Sequence, residues 1–255
     1  MNIVVLIKRV PDPNTPEQLV SISESQDEIV LHASSQYTIN QYDLNAVEAA
    51  VGLKEAQGAT VTVVTADDAS ADQYLRRVIA MGADNAIRVE LDGQSRRDPF
   101  KTAEAIVSAL KQKEAASLLI AGRQSSDADA GYVPYLVANG LGIPALAPIV
   151  SIKAASEQTI TVGKLADTTI DEYEVTLPAM LLVSNEINKP RTPGLKGVMA
   201  SKKATIEVIQ TDVGGHSTVP PKYAPKKGQR AVQATRFIEG SDEDKASALL
   251  AALDK

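Results

Sequence analysis

The chain has 255 residues, enough for one large or two small domains, and its 44% hydrophobic and 23% charged content is that of a globular protein. It has no cysteine, which excludes disulfides and thiolate chemistry, and its two histidines, His32 and His216, argue against a histidine-built metal site or catalytic triad. Aromatic residues make up 4% with no tryptophan, which argues against a stacking platform for nucleic acid.

The first element, NIVVLIK (2–8), is an apolar run rich in branched residues, so a strand and not a signal peptide is expected at the start. TVTVVTA (60–66), NAIRVEL (85–91) and SLLIAG (117–122) read the same way, as parallel strands covered on both faces. The segments between them have helical spacing. DLNAVEAAVGLKEAQG (43–58) puts Leu44, Val47 and Val51 on one face, Leu75, Val78 and Ile79 do so in a second helix, and Ile106, Val107 and Leu110 in a third. Asp98 and Pro99 suit the N-cap and first position of that third helix. The pattern predicts a doubly wound α/β fold with a mostly parallel sheet.

The uncharged stretch from 130 to 152 is long enough to suggest a membrane span. Pro134, Pro144 and Pro148, with Asn139, Gly140 and Gly142, divide it into a helix, a turn and a strand, so a soluble intracellular protein without membrane insertion is expected. SIKAASEQTITVGK and DEYEVTLPAMLLVS read as antiparallel strands with short links, and regularity fades after Ser184. Residues 211–236 carry three prolines and three glycines and read as an extended arm. SDEDKASALLAALDK then predicts a last helix, with Ser241 as N-cap and Ala248, Leu249 and Leu253 as its apolar stripe, packed on its own domain or on a partner.

In an open α/β sheet, ligands bind beyond the carboxyl ends of the strands, near the switch in strand order. KRVPDPN (8–14), TADDAS (65–70) and GRQSSDADAGYVPY (122–135) lie there, and none carries a G-x-G-x-x-G or G-x-x-x-x-G-K-[ST] fingerprint. The third loop, rich in small residues before a helix, suits an anion, although Asp127 and Asp129 repel phosphate; it reads equally as an ordinary polar loop. The pairs Asp67–Asp68 and Asp127/Asp129 read as solvated loop acids, because nothing supplies a nucleophile or metal partner. INKPRTPGLKGVMASKK (187–203) holds five basic residues and no acid in a chain of net charge -6, and its prolines and glycines interrupt any single smooth helix or strand. From Lys196 to Arg236 there are eight basic residues against two acids, which reads as a solvated tail or as a surface for an acidic partner.

Taken together, VVLIKRVPDP, TINQYDLNAVEAAVGLKE, VIAMGAD, AGRQSSDADAG and INKPRTPGLKGVMASKK resemble, in order and spacing, the beta subunit of electron-transfer flavoprotein. The resemblance implies a heterodimer whose alpha subunit carries the redox FAD, while the beta subunit binds AMP. The pair would take electrons from dehydrogenases and pass them to a quinone oxidoreductase or another acceptor, in the cytoplasm of a bacterium or archaeon. By matching motifs, the AMP pocket would comprise Leu6, Asn40, Gln41, Tyr42, Asp43 and Ala66, with the loop Gly122, Arg123, Gln124, Ser125, Ser126, Asp127, Ala128, Asp129, Ala130, Gly131, Tyr132 and Val133. Pro13 and Tyr42 would lie nearest the flavin, and Leu195, with Arg191 and Lys196, would dock partner dehydrogenases.

The implied organisation is an α/β nucleotide-binding core over 1–184 with antiparallel strands from about 148, a recognition loop and following strand over 185–210, and an arm and helix over 211–255 packed on the alpha subunit. Near Pro13 some members have a tyrosine beside the flavin, and this chain has none; the chain also departs from the family at Tyr132 and Pro134 in the nucleotide loop, where small or amide residues are usual. Those departures keep open an electron-bifurcating type with a second FAD in place of AMP. A universal-stress-type nucleotide sensor shares the sheet pattern but needs neither the kinked basic segment nor the last helix.

Overall fold

Runs of branched apolar residues alternate between two covered faces of one sheet. In the computed structural model, which describes residues 1–26, 28–214, 222–224 and 237–253, β1 (Asn2–Leu6) turns Ile3 and Val5 to one core and Val4 and Leu6 to the other. Four short strands follow: β2 (Arg9–Pro11), β3 (Val20–Ile22), β4 (Ile29–Leu31) and β5 (Tyr37–Ile39). Then come α1 (Gln41–Gln57), β6 (Thr60–Asp67), α2 (Asp72–Met81), β7 (Asn85–Glu90), α3 (Pro99–Lys111), β8 (Leu118–Gly122) and α4 (Tyr132–Leu141). The chain continues through β9 (Ala145–Ala155), β10 (Thr159–Leu165), β11 (Ile170–Thr176), β12 (Ala179–Val183), α5 (Leu195–Lys203), β13 (Ile206–Gln210) and α6 (Asp242–Leu253).

Among the described residues, nine strands form the central sheet in the order β11-β10-β9-β12-β8-β1-β6-β7-β13. It is parallel from β9 to β13 and antiparallel at β10 and β11. Leu44, Val47, Val51, Leu75 and Val78 of α1 and α2 cover one face, and Ala105, Ile106, Val137 and Ala138 of α3 and α4 cover the other. Each fully buried Val, Leu or Ile contributes ~1.5–3 kcal/mol, so the two layers hold the strand ends in place. Asp98 caps α3 as its sequence predicts, accepting from the Phe100 N–H at 2.9 Å.

Residues 170–183 correct the reading of that stretch as an antiparallel pair. Ile170–Thr176 is antiparallel to β10, but Ala179–Val183 is a separate strand, parallel to both β8 and β9 and inserted between them. The physical reason is burial: AMLLV is buried at all five positions, as a strand covered on both faces must be, whereas IDEYEVT is exposed at six of its seven.

By contact, the described residues of Met1–Ser21 and Val30–Pro221 form one compact unit, and those of Ile22–Ile29 and Lys222–Lys255 a second. In the second, the Tyr223 N–H donates to Gln26 O at 2.7 Å. Ser241 caps α6: its hydroxyl accepts from the Asp244 N–H at 3.2 Å, and the Asp244 carboxylate accepts from the Ser241 N–H at 3.1 Å. Leu249 and Leu250 on α6 are exposed. Most of the arm expected over 211–236 and the Leu253 side chain lie outside the described residues. Among the described residues no helix is long and apolar enough to cross a membrane.

Candidate functional site

The chain runs outward from β1 to β6 and β7, then returns to place β8 on the other side of β1. The order therefore switches between β8 and β1, and their register, Leu6 opposite Ala121, brings the Lys8 and Gly122 backbones together just beyond the strand ends. The first turn of α1 covers that point. Asp43 is buried there, and its carboxylate accepts from the Lys8 N–H at 2.7 Å and from the Gly122 N–H at 3.1 Å. Burial pushes its carboxyl up to about 7, against the opposing pull of the Lys8 N–H, the Asn40 side chain and the Gly122 N–H.

Asn40, the residue before α1, does not cap that helix with its side chain. Its amide instead holds the loop after β8, donating to Gln124 O at 2.8 Å and accepting from the Ser126 N–H at 3.3 Å. Lys8 reaches over the same loop, donating to Asp127 at 2.7 Å and to Ser125 Oγ at 3.3 Å. Gln124 Nε2 donates to Asp129 at 3.0 Å. The two loop acids that disfavoured an anion thus have internal partners, and the Asp127 charge is compensated by Lys8.

Two glycines set how close the walls come. A Cβ on Gly122 would stand 2.4 Å from Asp43 Oδ1 and 2.6 Å from Tyr42 Cβ. One on Gly131, which has φ +65°, would stand 2.7 Å from Arg123 O. Gly131 leads into α4 without a side-chain cap, which leaves the first-turn N–H groups of Tyr132 and Val133 without helical partners; Pro134 has none to give. Arg123 lies over the Tyr42 ring at 5.4 Å, with its Nε buried and without a hydrogen-bond partner among the described residues.

Asn40, Tyr42, Asp43 and the loop from Gly122 to Asp129 thus meet in one crevice. Leu6, Ala66 and Val133 border the α3/α4 core beneath it; Gln41, Ala128, Ala130 and Tyr132 are solvent-exposed. Lys8 was not singled out from the sequence, although its place directly after a strand at the switch point is a usable signal. A larger depression of about 550 Å³, lined by Phe100, Val107 and Leu136 among others, shares no residue with this crevice.

Asp67 corrects the reading of the acid pairs as solvated. It is buried at the end of β6, where Arg9 Nε and Nη2 bond it at 3.1 and 3.0 Å and Arg96 pairs with it from a second side; Arg9 also stacks over Tyr37 at 4.8 Å. Two guanidinium groups compensate the buried charge, so it is a structural group.

The basic segment 187–203 is extended and then helical. Asn188 Nδ2 donates to Asn45 O at 3.0 Å, and Asn45 Nδ2 donates to Asn188 O at 2.8 Å. Arg191 is clamped by two carboxylates of α1: Glu48 accepts from its Nε and Nη2, each at 2.9 Å, and Glu55 from Nη2 at 3.0 Å. Glu55 and then Glu48 hold the Arg191 guanidinium above its usual pKa. Its charge is therefore engaged within the chain. Leu195 begins α5 and is 82% exposed, and Lys196 beside it is exposed as well. The fold braces α5 closely: a Cβ on Gly197 would lie 2.2 Å from Ala80 O of α2, and Arg76 donates to Ser201 O at 2.7 Å and Ala204 O at 3.0 Å.

Residues 28–213 match the family model described as the electron transfer flavoprotein domain. The chain is 36% identical over 215 residues to the electron transfer flavoprotein subunit beta of Mycobacterium bovis and to that of Mycobacterium tuberculosis, covering 82% of this chain and 78% of theirs. It is 34% identical over 213 residues to the same subunit of Mycobacterium leprae, with the same coverage.

Proposed function

The chain belongs to the electron transfer flavoprotein family, and from that premise we propose that it works as the beta subunit of a heterodimeric electron carrier. The pair takes electrons from dehydrogenases and passes them to a quinone oxidoreductase or another acceptor, in the cytoplasm of the cell. The alpha subunit holds most of the redox FAD, and this chain is a carrier component without a substrate of its own. Family membership sets aside the universal-stress-type sensor.

AMP occupies the switch-point crevice. The observation that carries this reading is the α4 N-terminus beside the switch point, which no side chain among the described residues caps, next to a loop that Gly122 and Gly131 let pack closely on Asp43 and Arg123 O. The residues fit a nucleotide. The loop N–H groups and the first turn of α4 suit the phosphate, Ser125 suits a hydroxyl, and Leu6, Ala66 and Val133 supply the apolar floor, while Lys8 and Asn40, already paired with Asp127 and with Gln124 O and the Ser126 N–H, hold the loop in shape. AMP brings no reactive group, so it acts on stability by mass action. Leu195, exposed on a braced segment, is the docking contact for dehydrogenases, and Lys196 adds charge. Arg191 supports it by holding the segment to α1. The exposed leucines of α6 suit packing on the alpha subunit.

The test is colour. This chain expressed alone is expected to be colourless, and co-expression with its alpha subunit to give a yellow pair. A stoichiometric, tightly held flavin absorbance on the isolated chain would overturn the AMP assignment in favour of a second FAD.

A further inference from the structure

Behind the segment that presents Leu195 lies a second pocket, of about 260 Å³. Leu44 and Met81, both buried, line it together with Pro190 and Pro193, and Arg77 and Lys189 line it as exposed cations. Arg191 also borders it, but its charge is compensated by Glu48 and Glu55. The charged groups of Arg77 and Lys189 have no ion-pair partner among the described residues. The chain as a whole is acidic, at -6, whereas this small pocket, which Gln41 and Thr192 also line, carries two cations without an ion-pair partner among the described residues.

We infer that this pocket receives a carboxylate side chain, Asp or Glu, from the electron-donating protein that docks at Leu195, with Arg77 and Lys189 as its partners. The inference rests on the docking reading of Leu195. Three features select this occupant. The volume is below the ~300–1,000 Å³ of small-molecule sites and suits one side chain. Its wall at Pro190–Pro193 continues directly into Leu195, so a protein covering the leucine also covers the pocket. A covering surface without an acid would strip water from two cations and give nothing back, whereas one carboxylate satisfies both. The pocket therefore discriminates among partners that have an apolar socket for the leucine, by penalising those without the acid.

The test uses the intact heterodimer and the dehydrogenase that reduces it. In R77Q/K189Q, KM for the heterodimer is expected to rise about three- to tenfold at low salt and to converge with wild type at high salt, with kcat unchanged. Reduction by dithionite, which needs no docking, is expected to be unaffected. The charge-conserving Arg77→Lys/Lys189→Arg is expected to stay within about twofold of wild type. Coupling by a water-soluble carbodiimide is expected to join Lys189 to an Asp or Glu of the dehydrogenase. A low-salt KM of R77Q/K189Q equal to wild type, with no link from Lys189, overturns the inference. Leu195→Ala separates the two readings. If it abolishes transfer while R77Q/K189Q is silent, docking stands and the carboxylate pocket falls. If it is silent while R77Q/K189Q loses affinity, the leucine reading falls and the inference as stated falls with it, leaving the two cations as a contact elsewhere in the encounter.

Discussion

Replacing Gly122 by alanine probes the join between β1, β8 and α1 with a single methyl group. The new Cβ would lie 2.4 Å from Asp43 Oδ1, 2.6 Å from Tyr42 Cβ and 3.0 Å from the Tyr42 carbonyl carbon. The last contact is backbone, so turning a side chain aside does not relieve it. Asp43 cannot rotate away without releasing the N–H groups of Lys8 and Gly122, which it holds at 2.7 and 3.1 Å. Overpacking costs ~1–3 kcal/mol, and a buried N–H left without its acceptor another ~1–3 kcal/mol. Allowing for partial relaxation, the loss is about 2–5 kcal/mol, and at ~2–4 °C per kcal/mol for a domain of this size the melting temperature falls by about 4–20 °C. The assay is a thermal melt of the purified heterodimer with its released nucleotide quantified in parallel. AMP content is expected to fall with the melting temperature. Gly194→Ala is the control, since no atom of the described residues lies within 4 Å of its Cβ position and its backbone is extended, and it is expected to match wild type in both readings. A Gly122→Ala pair that melts normally with full AMP content would refute the contact; one that melts early with full AMP content would move the nucleotide elsewhere.

Leu195→Ala is expected to leave melting temperature, AMP content and flavin spectrum unchanged, because the side chain is 82% exposed. Transfer from the dehydrogenase should fall at least about tenfold, given the ~1.5–3 kcal/mol of burial lost and ~1.4 kcal/mol per decade; an early melt with an undiminished rate would make Leu195 a core residue. Arg191→Ala strands Glu48, whose side chain is 16% exposed, at ~1–3 kcal/mol; calorimetry should show a fall of about 2–10 °C together with a raised KM for the dehydrogenase, and an unchanged melt would count against the clamp. Asp43 gives a pH signature. Its folded pKa of about 7 exceeds the unfolded ~3.9, so the folded state binds more protons between those values, and Asp43 lowers stability progressively as pH rises through that window and uniformly above it. Denaturant titrations should show Asp43→Asn gaining stability relative to wild type from about pH 4 to pH 7, and parallel profiles would contradict the burial of the carboxyl.

The α/β core was legible because its strands are continuous apolar runs and its helices carry their own signals, as at Asp98–Pro99. The place of 179–183 is also written in the sequence, as an uninterrupted AMLLV after a polar strand, but the short link at Leu177–Pro178 makes the two look like parts of one antiparallel unit. Helix α5 was not legible. Gly197 weakens helix propensity, and its reason for being there is that a Cβ would collide with Ala80 O, in an element 117 residues earlier. The crevice loop was found from its small residues and its place after a strand, whereas the pairing of Lys8 with Asp127 joins residues 119 apart, which no local pattern records. The same holds for Arg191. Its charge was visible, but its partners Glu48 and Glu55, two helical turns apart on α1, lie 143 and 136 residues away.

What the crevice holds is read directly from a mass spectrum of the small molecules released by the denatured heterodimer. One FAD and one AMP per pair are expected, with AMP lost and FAD retained in Gly122→Ala. Two FAD per pair and no AMP would overturn the AMP assignment.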